Sequence, residues 1–184
     1  RAGERRLSAV GAERPAGRVA RGALDWRDTG RASGRLKPLA GRGKIVGGVF
    51  SGALALPGDG YVSIDAELAN VLKGNYTVTA WIRTKGTVMD VLGSGTSSGC
   101  LLLVVNQGPI RGHHWTDSSG NVTQGTTAVN DGRWHHVAQV VDDANISIYV
   151  DGRLDAQAKI QGARTASTAP IHLGTRSSTS RQYS

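Results

Sequence analysis

One cysteine, one phenylalanine and one methionine stand in a chain of 184 residues. A lone cysteine excludes an internal disulfide. A chain of this length can bury enough apolar surface to fold without one, so cysteine usage leaves the compartment open. Cys100 precedes the longest apolar run, Leu101–Val105, and is expected as a buried core thiol, since no basic neighbour would lower its pKa. That run is far shorter than the roughly 20 residues of a membrane-spanning helix. Glutamate occurs only as Glu4, Glu13 and Glu67. No strand-like segment carries acids four residues apart, and Asp90 lies in an apolar stretch without a second acid. Glycoside hydrolysis needs two carboxyl groups held across one bond, so this scarcity argues against it. Ile45-Val46-Gly47-Gly48 is like the start of an activated trypsin-like protease, but neither Gly-Asp-Ser-Gly-Gly nor Ala-His-Cys occurs, which excludes that triad.

Acidic residues are also thin where the basic ones gather. Residues 1–42 hold eleven Arg/Lys and four Asp/Glu, so this segment supplies +7 of the chain's net +8. It reads as an Arg/Gly/Ala-rich extension or linker preceding one domain, residues 43–184. Trp26 is its one aromatic residue, whereas nucleic-acid readers interleave basic and aromatic groups on a folded face. Nucleic acid is therefore not the expected partner. The expectation is a solvated linker, or a segment that contacts a neighbouring chain or a second copy. Ala and Arg around Arg5–Val10 favour a short helix.

What the chain has in plenty is glycine, at 26 residues, with Asx-Gly pairs and β-branched runs. That composition favours an all-β protein with many turns. Strands are predicted at Ile45–Phe50, Ala53–Leu56, Tyr61–Ile64, Tyr76–Arg83, Val88–Leu92, Leu101–Asn106, Ile110–Trp115, Val122–Ala128, Arg133–Val141, Asn145–Asp151, Leu154–Ile160 and Pro170–Gly174. Leu68–Leu72 is read as one helical turn. Ile110–Trp115 and Val122–Ala128 form a hairpin through Asp117–Gly120. In Tyr76–Arg83, Val78, Ala80 and Ile82 point one way and Thr77, Thr79 and Trp81 the other. Large groups on both faces predict a strand inside a sandwich, with Trp81 and Trp134 packed. Strands at this spacing, without helices between them, argue for two stacked sheets.

Asp131-Gly-Arg-Trp-His-His-Val-Ala-Gln-Val-Val141, followed by Ile146-Ser-Ile-Tyr-Val-Asp-Gly-Arg-Leu154, resembles the core of laminin G-like domains. Gly47–Ile64, ending in Tyr-Val-Ser-Ile, is similar to the opening pattern of that family. The resemblance covers about residues 45–175 and implies a concanavalin A-like jelly-roll sandwich of two antiparallel sheets. It also implies a non-catalytic recognition module of a larger extracellular or cell-envelope protein, binding carbohydrate or another protein through rim loops. The rival is a structural or assembly subunit of a fibre or coat, whose basic extension contacts a neighbouring chain; a polysaccharide hydrolase comes third. Family members continue past the strand matching Ile171–Gly174 into a further strand. Its absence before Ser184 predicts a truncated chain, or a place in the sheet filled by Ala23–Leu39 or by another chain.

The best local cluster for a ligand is His113, His114, Trp115, Asp117 and Asn121. Sugars offer apolar C–H faces and many hydroxyls, which suit an aromatic platform beside polar groups. The competing expectation is that Trp115 packs in the core or at a sheet edge. The adjacent histidines His113-His114 and His135-His136 can each offer one ligand to a given zinc ion, because neighbours in a strand face opposite ways. They are read as core or sheet-surface groups. Calcium is possible by family resemblance, but the loops that should carry its acids read Gly93–Gly99 and Thr175-Arg-Ser-Ser178, without a carboxylate. No cofactor is therefore expected. Asn75, Asn121 and Asn145 begin glycosylation sequons in form only.

Overall fold

The fold is taken from a computed structural model. It describes residues 6–8, 12–13, 19–20, 23–25, 44–49, 52–56, 61–64, 74–94, 100–105, 107–117, 120–165 and 169–175. The strands are β1 (Arg6–Ser8), β2 (Ala12–Glu13), β3 (Val19–Ala20), β4 (Ala23–Asp25), β5 (Lys44–Gly47), β6 (Gly52–Ala55), β7 (Val62–Ile64) and β8 (Tyr76–Ile82). They continue as β9 (Met89–Ser94), β10 (Cys100–Val104), β11 (Ile110–Trp115), β12 (Gly120–Gln124), β13 (His135–Val141), β14 (Asn145–Val150), β15 (Arg153–Lys159) and β16 (Ile171–Leu173). No helix occurs among the described residues.

A six-stranded sheet has the order β12-β11-β10-β9-β16-β7, and a four-stranded sheet the order β15-β14-β13-β8. The ladders β1–β4, β2–β3 and β5–β6 stand beside them. Every pairing is antiparallel. The core lies between the two large sheets. Tyr76, Val78, Ile82, Val137, Val141, Ile146, Ile148 and Val150 come from one side, and Leu92, Leu102, Val104, Ile110 and Ile171 from the other. Each such aliphatic side chain contributes about 1.5–3 kcal/mol by leaving water. The register Val141↔Tyr76, Gln139↔Val78, Val137↔Ala80 keeps one set inward. A slip of one residue would turn all of it to solvent.

Two irregularities redirect side chains. Leu102 pairs with Leu92 but Leu103 with Asp90, leaving Val91 as an extra residue. This bulge puts Asp90 on the outer face with Leu103, where both are nevertheless buried. On β15 the pairing jumps from Ala156 to Leu154. Asp155 is freed to accept hydrogen bonds from the backbone and hydroxyl groups of Thr126 and Thr127.

Several expectations need correction. Trp81 is not packed in the core; it is 41% exposed. Tyr76, Val78 and Ile82 take the inner face of β8, so strand alternation sends Trp81 outward, where its ring meets His136 at 5.3 Å. Nor is β8 flanked on both sides, since it ends the four-stranded order among the described residues. Trp134 is half-buried with the Arg83 guanidinium 5.1 Å above its ring. Within Arg5–Val10, residues 6–8 form a strand paired with Ala23–Asp25, not a helix. Helix preference is small per residue, and a ladder overrides it. That pairing places Ala23–Asp25 outside the two large sheets. The turn at Leu68–Leu72 and the side chain of Cys100 lie outside the described residues.

Candidate functional site

The β11–β12 hairpin carries the predicted cluster. Along β11, burial alternates: Ile110, Gly112 and His114 are buried, while Arg111, His113 and Trp115 are half-buried. The second set faces away from the core. His113 and Trp115, two residues apart, stack with centroids 5.1 Å apart and planes 17° from parallel. The indole packs on Leu103 and Val105. Its Nε1 lies only 3.0 Å from where a Cβ on Gly120 would be, so the missing side chain leaves room for the ring. Across the ladder, Val122 pairs with His113 and Gln124 with Arg111. The Arg111 Nε and Nη2 both donate to Gln124 Oε1, at 2.8 and 2.5 Å.

The five predicted residues do not share one surface. His113 and Trp115 form the outer stack. Asp117 is exposed at the turn, where its Oδ1 accepts the Ala163 N–H at 2.8 Å. His114 and Asn121 turn inward and are buried. Asn121 Nδ2 donates to the Gln161 carbonyl at 3.0 Å, and its Oδ1 accepts the Gln161 N–H at 2.8 Å. This pairing ties the hairpin to the segment after β15, and it leaves the Asn121 sequon no exposed amide to carry a glycan. Arg111, Gln124 and Val122 are absent from the sequence-derived cluster, although counting back by twos from Trp115 reaches Arg111.

His114 joins a polar network between the sheets. Its Nδ1 is 3.1 Å from the Tyr76 hydroxyl, which also accepts from Gln139 Nε2 at 3.2 Å. Gln139 Nε2 donates as well to the His113 carbonyl, at 3.1 Å. His114 Nε2 and Gln139 Oε1 are buried without a hydrogen-bond partner among the described residues. Burial first, then repulsion from Arg164, pulls the His114 pKa down to about 4, so its ring is neutral at pH 7.

A second histidine has the opposite surroundings. His135 Nδ1 is 2.8 Å from Asp151 Oδ2, and its Nε2 is 3.1 Å from Asp131 Oδ1. Burial opposes its charge, but the bonds to Asp151 and then Asp131 outweigh it and raise its pKa. Asp131 is held low by the Arg133 backbone N–H and then the Arg133 side chain. Burial would raise Asp151, but the His135 hydrogen bond, followed by the His136 N–H, brings it below the usual range. The two Asp-Gly pairs of the sequence thus meet on one imidazole.

Asp131 and Asp151 do face each other, yet the ring of His135 fills the space between them. Each His135 nitrogen is thus taken by one carboxylate. Among the described residues no group of three His, Cys, Asp or Glu is arranged to hold a metal. Where family resemblance implies calcium, the end of β9 offers Gly93 and Ser94, and the Ser94 hydroxyl donates to the Ala169 carbonyl at 3.2 Å. The end of β16 offers Gly174 and a buried Thr175. These residues do not fit a calcium cage. No helix among the described residues is long and apolar enough to cross a membrane.

Two antiparallel sheets closed on one core define a jelly-roll sandwich. The chain belongs to the concanavalin A-like lectin/glucanases superfamily, whose laminin G-type family model matches residues 56–184. No curated protein sequence matches the chain. Among solved structures it is similar to domains LG4-5 of the mouse laminin alpha1 chain, with TM-score 0.56 and 18% identity over 91% of this chain and 44% of that one. It is also similar to the binding domain of botulinum neurotoxin DC in complex with SialylT, with TM-score 0.63 and 13% identity over 91% and 43%. A third relative is domain 4 of AbnA, an extracellular arabinanase from Geobacillus stearothermophilus in complex with arabinotriose, with TM-score 0.61 and 16% identity over 83% and 80%. The chain spans less than half the length of the first two. At these identities the likeness is one of fold.

Proposed function

We propose that this chain is a non-catalytic recognition module that binds carbohydrate on the outer face of β11–β12 and works outside the cell or in its envelope. The observation that carries this is the near-parallel His113–Trp115 stack, half-buried and flanked by polar Arg111 on the same face of β11 and Gln124 across the ladder. Rings stacked on each other keep their outward faces and edges as apolar area for sugar C–H groups, and the flanking groups supply hydrogen bonds. Structural relatives described with SialylT and arabinotriose support this assignment. Separation of the Asp131–Asp151 pair by an imidazole supports the absence of hydrolysis.

A glycan array followed by calorimetry tests the proposal. The wild-type chain should bind at least one saccharide. His113→Ala and Trp115→Ala should each weaken that binding tenfold or more while the far-ultraviolet spectrum stays that of a β protein. Absence of any saccharide hit, or binding unchanged in both variants, would overturn it.

A further inference from the structure

Beside the stack lies Arg111, whose guanidinium meets an amide oxygen and no carboxylate among the described residues. Arg111, His113 and Trp115 alternate on one face, so about 13 Å separates the first from the last. One saccharide lying on the rings can therefore reach the guanidinium. Arg111 is oriented by two hydrogen bonds to Gln124 Oε1. An amide oxygen fixes the guanidinium without neutralising it, and three of its five N–H donors remain outside that pair. No carboxylate accepts from Arg111 among the described residues. Asp90 is in the same cross-strand row but buried, with Leu103 between, about 10 Å away by strand spacing. Asp117 is held by Ala163.

We infer that the ligand of this face is an anionic saccharide whose carboxylate or sulfate is taken by Arg111. The inference rests on the carbohydrate reading of the same face and adds the class of sugar. Covering Arg111 with a neutral sugar would strip water from a cation and return no opposite charge, which is unfavourable. An acidic group restores the pairing, and a guanidinium matches a planar carboxylate or a sulfate with two parallel N–H bonds. Aromatic stacking would hold the ring and the cation would select its charge.

The test compares three oligosaccharides with one backbone: neutral, uronic-acid-bearing and sulfated. Tryptophan fluorescence and calorimetry on the full chain should give at least tenfold tighter binding for one or both acidic forms. That preference should shrink as salt rises from 50 to 300 mM, and the two acidic arms separate carboxylate from sulfate. Arg111→Gln should remove the preference, so that the acidic forms bind no better than the neutral one. Gln124→Glu should do the same, because it supplies an internal carboxylate while Arg111 stays. Equal binding of all three sugars, or a preference that survives Arg111→Gln, overturns the inference and leaves the platform standing. Binding that His113→Ala and Trp115→Ala leave untouched overturns the platform itself, and the inference with it.

Discussion

His135 and His114 are both buried, yet their pKa values move in opposite directions, and the cause in each case is what the ring nitrogens meet. His135 has a carboxylate at each nitrogen. Its raised pKa contributes stability that is fully present below the ordinary value of about 6.5 and is lost as pH rises through the folded value. His114 has a phenol at one nitrogen and, among the described residues, no hydrogen-bond partner at the other. With its pKa near 4, the unfolded chain takes up a proton before the folded chain does. Stability then falls as pH drops from about 6.5 towards 4; His172, lowered by burial, acts in the same direction. Urea titrations should separate the two residues. His114→Phe should lose less stability than wild type between pH 7 and pH 4.5. His135→Gln should be most destabilised relative to wild type at pH 5.5 and less so at pH 8.5. The same slope in wild type and both variants would contradict these assignments.

At the scale of elements, most strands were legible because alternation with period two needs only the chain itself. Tyr76–Ile82, His135–Val141 and the Asp151–Gly152 reversal fall where the pattern puts them. Asp151 and Gly152 both have positive φ, 50° and 79°, as a two-residue hairpin turn requires. The bulges at Val91 and Asp155 were not legible, because an extra residue switches faces without leaving a compositional mark. Which face of β8 is buried was equally hidden. Only the partner strand shows that Val78, not Trp81, meets the core. Within the candidate site, the His113–Trp115 pair was readable from aromatic spacing. The inward turn of His114 and Asn121 depended on the opposite sheet and on Gln161. Two glycines make the contrast measurable. A methyl group at Gly112 would sit 2.7 Å from both Gln139 Oε1 and Ile148 Cδ1, whereas one at Gly152 would meet nothing within 4 Å. Gly112→Ala should therefore destabilise through the core, by about 1–3 kcal/mol. Gly152→Ala should cost about 1 kcal/mol through backbone strain alone. Near-ultraviolet dichroism, sensitive to aromatic packing, should change only for Gly112→Ala.

Across the whole molecule, the two sheets are joined beneath the platform by polar groups as well as by apolar contact. Gln139 bonds the Tyr76 hydroxyl within the four-stranded sheet and reaches across to the carbonyl of His113, the residue whose ring faces the proposed ligand. The position of His113 nevertheless does not depend on that bond alone. β11 is laddered on one side to β10 and on the other to β12, and the indole rests on Leu103 and Val105. A face held this way should behave as a rigid scaffold whose surface groups choose the ligand. Gln139→Leu keeps the apolar volume but leaves the His113 carbonyl and the Tyr76 hydroxyl short of a donor. It should lower stability by about 1–3 kcal/mol in urea unfolding. Saccharide affinity at 25 °C should change by less than threefold, well short of the tenfold loss expected of Trp115→Ala. Loss of affinity in Gln139→Leu as large as in Trp115→Ala, with the chain still folded, would mean that the opposite sheet positions the binding face and that the β11–β12 ladders alone do not.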